Sequence, residues 1–104
     1  MATDVLDVPA RSRYEVTVDG ELAGFSEYRE AEGARVFTHT EVFDAYEGKG
    51  VGSALARGAL DDVRARGRRR LVALCPFIGA YLESHGEYAD LVDAELTARL
   101  KARR

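Results

Sequence analysis

Cys75 is the only cysteine among 104 residues, and the chain has no tryptophan, one methionine and two prolines. A lone cysteine closes no intramolecular disulfide, so a small secreted scaffold stapled by disulfides is excluded. No apolar run is long enough to span a membrane: the longest largely apolar stretch, residues 71–82, is short and contains Pro76. The N-terminal MATDVLDVPA has neither the basic start nor the apolar centre of a secretory signal. Repeats, low-complexity tracts and linker-like segments are also missing. The resulting expectation is a cytoplasmic protein that is not inserted in a membrane.

What is present suits a folded chain. Apolar residues make up 46% and charged residues 32%, a globular rather than a disordered balance. The length suits one small core. Residues 1–10 read as a loosely ordered lead-in ending near Pro9, and residues 11–104 as a single domain. The net charge of −3 is unevenly spread: residues 1–46 carry −6 and residues 47–104 carry +3. Such an asymmetry suits a polyanionic ligand on one side, provided that sequence halves are also spatial halves.

Along the chain, Tyr14–Val18 alternates as a strand. Asp19-Gly20 is a two-residue hairpin signal, because both turn positions need positive φ. A second strand follows over Glu21–Arg29, with a bulge expected near Gly24. Ala31-Glu32-Gly33 makes the next turn. The third strand, Ala34–Phe43, is rich in β-branched and aromatic residues. Strict alternation puts Phe37, His39, Glu41 and Phe43 on one face, and Val36, Thr38, Thr40 and Val42 on the other. A helix is predicted over Val51–Arg66, with Val51, Leu55, Ala59 and Val63 on its apolar stripe and Gly67 as its stop. Leu71–Leu74 reads as a buried strand beside the third, reached through the helical crossover. Pro76 opens a helix to about Ser84. A last amphipathic helix is expected over Asp90–Lys101, capped by Asp90.

Between the third strand and the first helix lies Tyr46-Glu-Gly-Lys-Gly-Val-Gly52. A strand, a glycine-rich turn and a helix start form a geometry for holding phosphate. Helix N-termini present unpaired N–H groups at the positive end of the dipole, and glycines let an anion approach the backbone. The turn is not the ATP-binding pattern, since no Lys-Ser or Lys-Thr pair ends it. Its glycines are too closely spaced for a dinucleotide fingerprint.

The stretch from Val42 to Gly52 resembles the acetyl-coenzyme A loop of the GCN5-related N-acetyltransferases, whose pattern is Gln/Arg-x-x-Gly-x-Gly/Ala at a helix start. Glu47, Gly50 and Gly52 stand at its three marked positions. His39-Thr-Glu-Val42, Leu74-Cys-Pro-Phe77, Tyr81 and His85-Gly-Glu-Tyr88 are similar, in that order, to the small single-domain members of the family. The resemblance covers about Tyr14 to Val92. It implies an α+β acyl-CoA N-acyltransferase fold with a mixed, mostly antiparallel sheet, in the order β-β-β-α-β-α plus a short C-terminal helix. It implies acetyl-CoA as co-substrate, with Val42, Phe43 and Asp44 along the pantetheine arm. Glu47, Gly48, Lys49, Gly50, Val51, Gly52 and Ser53 would surround the diphosphate. Glu47 departs from the family's Gln or Arg and sets a carboxylate near a diphosphate, which costs affinity.

Transfer of an acetyl group to an amine requires a neutral nucleophile, a donor for the oxyanion and a proton for the departing thiolate. His39 and Glu41 are the candidate bases. Cys75 ends an apolar strand before a helix N-terminus, a placement that favours the nucleophilic form of a thiol. It is the sharpest catalytic candidate, either by contact or by accepting the acetyl group. Alignment puts Leu82 where larger relatives carry a tyrosine acid, and the adjacent Tyr81 is expected to pack or line the substrate site. His39, Cys75 and His85 lack ligand-pair spacing, so no metal is expected.

Arg57, Arg64, Arg66, Arg68, Arg69 and Arg70 form a basic cluster. Asp61 and Asp62 partly neutralise it, and no aromatic residue interleaves it, so nucleic acid is rejected as the main partner and one or two phosphate contacts are kept. The expected function is acetyl-CoA-dependent acetylation of an exposed amine on a protein or small molecule. A non-catalytic acyl-CoA-binding module and a small interaction domain are the alternatives.

Overall fold

The computed structural model describes residues 2–67 and 70–103. Five strands form one sheet in the order β1-β2-β3-β4-β5: Thr3–Val8, Arg13–Val18, Glu21–Ala31, Ala34–Val42 and Leu71–Ala73. The first four are antiparallel neighbours, and β5 runs parallel to β4. Among the described residues three α-helices follow the meander: α1 (Val51–Ala65), between β4 and β5, then α2 (Pro76–Ser84) and α3 (Ala94–Ala102). Both hairpins turn where the sequence places them. Asp19 and Gly20 have φ of 50° and 85°, and Glu32 and Gly33 have 50° and 80°, the paired positive angles of two-residue hairpin loops.

Thr3–Val8 does not belong to a loose lead-in. Thr3–Val8 is an edge strand in register with β2, from Thr3 opposite Val18 to Val8 opposite Arg13. Its anchor is polar. Asp7 accepts from the Tyr28 hydroxyl at 2.5 Å and pairs with the buried Arg35 guanidinium at 3.4 Å. Arg35 also donates to Glu30 and to the Tyr14 hydroxyl, which in turn donates to Asp62 of α1. Burial alone would lower the Arg35 pKa, but its bonds to Glu30 and Tyr14 hold it above the usual value. A hydrophobic-pattern reading overlooks such an anchor.

The two faces of the sheet carry separate cores. Leu55, Ala59, Leu60 and Val63 of α1 pack on Tyr14, Val16 and Phe37, and Ile78 and Tyr81 of α2 join them. On the opposite face, Leu96 and Leu100 of α3 cover Ala34, Val36 and Val72. The last helix starts later than expected. Asp93, not Asp90, is its cap and accepts from the Leu96 amide at 2.8 Å, while residues 86–91 form a 3-10 turn.

Two bulges set which residues face which core. On β3 the register shifts so that Ala23 is the extra residue beside Gly24. A Cβ at Gly24 would lie 2.5 Å from the Glu41 carbonyl oxygen, which is why a glycine is needed there. On β4 Glu27 pairs with His39 but Tyr28 pairs with Phe37, leaving Thr38 over. One extra residue reverses the alternation beyond it. Strict alternation therefore fails on β4. Phe37 shares the α1 face with Thr40 and Val42, while His39 and Glu41 turn to the other face.

Candidate functional site

A cleft of about 290 Å³ opens where β4 and β5 part. The strands pair only from Arg35 opposite Leu71 to Phe37 opposite Ala73. The Phe37 carbonyl then takes both the Leu74 and Cys75 amides, at 2.9 and 3.1 Å, and the chain turns away into α2. Beyond that apex β4 has a strand partner only on its β3 side. The Phe43 amide bonds to the Ala23 carbonyl at 2.9 Å. By the alternation of an antiparallel ladder, the N–H and C=O groups of Thr40 and Val42 then point away from β3 and into the gap. The cleft is lined by Thr40, Val42, Tyr46, Glu47, Gly48, Gly50, Val51, Gly52 and Phe77.

The outer end of the cleft is the glycine turn. Gly48 and Gly50 have φ of 76° and 75°, and a Cβ at either would meet nothing within 4 Å. Gly50 is the N-cap of α1 and supplies no capping side chain. The first helical bond runs from the Ala54 amide to the Gly50 carbonyl, so the amides of Val51, Gly52 and Ser53 find no acceptor in the helix. Gly52 serves packing, since a Cβ there would lie 2.7 Å from the tip of the Phe77 ring. The second helix also begins at this cleft, with Cys75 as N-cap and Pro76 in its first turn. The N-terminus of α1 therefore puts a positive helix end at the outer end of the cleft and that of α2 puts one toward the inner end, with Glu47 exposed at the outer rim.

The inner end is a chain of small polar groups. The Ser26 hydroxyl lies 2.9 Å from the Thr40 hydroxyl, which lies 3.2 Å from Cys75 Sγ. Ser26 and Cys75 are buried, and Thr40 is half-buried on the cleft wall.

The structure brings some of the predicted residues together and separates others. Val42, Glu47, Gly48, Gly50, Val51 and Gly52 line the cleft, and Cys75 sits behind Thr40 at its inner end. Lys49, Asp44 and Ser53 are exposed residues of the turn region outside that lining. Phe43 packs on the outer sheet face against Phe25, with ring centroids 6.2 Å apart. His39 and Glu41 lie 3.5 Å apart on that outer face, 57% and 51% exposed, across the sheet from Cys75. Tyr81 is buried and stacked on His85 at 3.8 Å, outside the lining of the cleft. Thr40, Tyr46 and Phe77 are wall residues that sequence reasoning missed. The signal that could have found them is the parting of two parallel strands, which exposes the inner face of the first and the start of the next helix.

The described arginines of the basic cluster are mostly engaged. Arg64 pairs with Asp90, Arg66 with Asp62 and Asp7, and Arg70 with Asp93. The neighbouring Tyr81 side chain is the chief cause that raises the Arg57 pKa above its usual value. Arg68 and Arg69 lie outside the described residues. No helix among the described residues is long and apolar enough to cross a membrane.

Comparison with known proteins agrees with this geometry. The NMR solution structure of a GCN5-like protein from Staphylococcus aureus superposes with a TM-score of 0.65 at 21% identity, covering 86% of this chain and 87% of that one. The crystal structure of a ribosomal-protein-alanine N-acetyltransferase from Brucella melitensis biovar Abortus 2308 superposes with a TM-score of 0.54 at 25% identity. That match covers 79% of this chain and 61% of the other, so this chain spans less than two thirds of that protein. No curated protein matches the chain in sequence. The family model described as GCN5-related N-acetyl-transferase matches residues 13–91, from the start of β2 to the turn before α3. By that match, and by a sheet that splits beside a glycine turn, the chain belongs to the GCN5-related N-acetyltransferase family.

Proposed function

We propose that the protein transfers an acetyl group from acetyl-CoA to an exposed amine. The observation that carries this reading is the cleft itself: unpaired helix amides over the glycine turn at one end, and unpaired strand amides at Thr40 and Val42 toward the other. An anion is held by the first, and an extended, amide-bearing arm by the second. Acetyl-CoA supplies a diphosphate, such an arm and a thioester in one molecule.

On this reading Gly48, Gly50 and the amides of residues 51–53 cradle the diphosphate. Val42 pairs with the arm as a missing strand would, and Phe77 and Tyr46 wall it from water. The Thr40 or Val42 amide donates to the carbonyl oxygen as negative charge develops on it. The amine approaches from the outer face, where His39 and Glu41 form the base pair that takes its proton. Cys75, behind Thr40, contributes by position, and the acetyl group passes directly to the amine. The acceptor is a cationic amine, drawn by the carboxylates of the first four strands.

One feature favours a second reading, binding without turnover. Tyr81 is packed against His85 rather than facing the cleft, so it offers the departing thiolate no proton. One experiment separates the two. Acetyl-CoA titrated into isotope-labelled protein is expected to shift the amides of Gly48, Gly50, Gly52, Val42 and Thr40. A panel of amines added with acetyl-CoA is expected to release free thiol. Shifts without thiol release would establish the binding module, and no shift at these amides would overturn both.

A further inference from the structure

We propose that Thr40 is the floor of the acyl pocket and restricts the donor to the two-carbon acyl group; this rests on the acyl-CoA reading of the cleft. The direction of the cleft argues it first. Its outer end is the glycine turn, where unpaired helix amides suit the diphosphate, so the thioester lies at the opposite, inner end. That end is closed. The Phe37 carbonyl draws in both the Leu74 and Cys75 amides, and β4 and β5 are fully paired below it. Of the residues lining the cleft, Thr40 stands nearest this apex in the register of β4.

The packing behind Thr40 then argues that the floor is rigid. Its hydroxyl is held between Ser26 at 2.9 Å and Cys75 Sγ at 3.2 Å. Thr40 has one hydroxyl proton, so it donates to one neighbour and accepts from the other, whichever way the chain runs. Both neighbours are buried, at 0% and 2% exposure, so the hydroxyl is tied to two groups held inside the core. A threonine is also stiff at χ1. An acyl group longer by two methylenes must displace a side chain that is tied by two hydrogen bonds to buried neighbours. One misplaced methylene in a closed pocket changes discrimination by about tenfold or more.

The test compares the affinities of acetyl-CoA, butyryl-CoA and free CoA for the wild type and three variants. Wild type is expected to favour acetyl-CoA over butyryl-CoA by at least about tenfold. Thr40→Ser keeps the hydroxyl and its two bonds while removing a methyl, and Cys75→Ala removes the sulfur behind it. Each is expected to narrow the acetyl-to-butyryl ratio severalfold, the ratio being read within each variant, while a cooperative thermal transition reports that the variant is folded. Thr40→Val keeps the volume and is expected to keep the ratio. Equal wild-type affinity for the two acyl-CoAs, or a ratio that neither widening variant moves, would overturn the inference while leaving the acyl-CoA reading in place. Failure of the wild type to bind all three would overturn that reading and the inference with it.

Discussion

Glu47 stands at the rim of the cleft where the family pattern has Gln or Arg, in the glycine turn that leads into the α1 N-terminus. On the proposed acetyl-CoA reading, the cost of this carboxylate is the repulsion of like charges in a solvated site, about 1 kcal/mol at a few ångströms. Glu47→Gln is therefore expected to tighten acetyl-CoA binding about threefold to tenfold, and to reduce the dependence of affinity on salt. Calorimetric titration at low and high ionic strength measures both. Unchanged affinity at low salt would place the diphosphate away from this rim. Cys75 reads differently once folded. The sequence shows a thiol at a helix start, and the structure adds that it touches Thr40 and is shielded from solvent. Its immediate consequence is thus for the shape of the inner pocket.

At the scale of elements, the N-terminal strand is the largest difference from expectation. TDVLDV carries two aspartates and no uniform apolar face, so its own pattern argues for a solvated segment. It is a strand because its edge pairs with β2 and because Asp7 finds Arg35, Tyr28 and Arg66. It also needs Gly58. A Cβ at Gly58 of α1 would lie 2.6 Å from Val5 Cβ, so the helix can approach β1 only with hydrogen at that position. Two effects oppose each other in Gly58→Ala. The helix gains about 0.5–1 kcal/mol in propensity, and the overpacked contact costs about 1–3 kcal/mol. The clash is expected to win by about 1–2 kcal/mol, read as a lower urea midpoint with earlier proteolysis within residues 3–8. A stabilised variant would show that β1 yields without cost. The bulge at Thr38 is the second such difference. It moves Thr40 and Val42 to the cleft face and turns His39 and Glu41 to the opposite one, so its effect on the site is larger than that of any single side chain nearby.

At the scale of the whole molecule, the acidic and basic halves of the sequence do not form separate regions. Arg66 pairs with Asp7, Arg99 pairs with Glu32, and Arg70 donates to the Glu32 carbonyl. Charge complementarity across the fold thus consumes much of the basic cluster. Tyrosines are the other feature of this network. Burial, then hydrogen bonds to Asp7, Asp62 and Asp61, push up the pKa values of Tyr28, Tyr14 and Tyr88, that of Tyr28 to about 12. In the unfolded chain these groups ionise near 10. A pKa raised by folding means that the native state holds its proton more tightly, so the associated stability is complete below pH 10 and is lost as pH rises through 12. Tyrosinate absorbance is therefore expected to appear late for three of the five tyrosines and to coincide with unfolding. Ionisation of all five near pH 10 in the folded protein would refute this.

Several features are fixed by short-range chemistry and were legible in the residues alone. Asp19-Gly20 turns because an Asp-Gly pair accepts two positive φ angles cheaply, and at Glu32-Gly33 the glycine supplies the second of them. The α1 stripe, the Gly67 stop and the Pro76 start follow from periodicity and capping. The unpaired amides at the glycine turn were legible too, because a helix start without a capping side chain is a local property. The remainder depends on partners distant in sequence. Whether residues 3–8 pair depends on Arg35 and Gly58. Which face Thr40 takes depends on one unpaired residue between β3 and β4. The cleft exists because β5 is only three residues long and leaves the C-terminal half of β4 without a neighbour on that side. Local propensity carries no information about where two strands part, and that parting places the Thr40 and Val42 amides opposite the glycine turn.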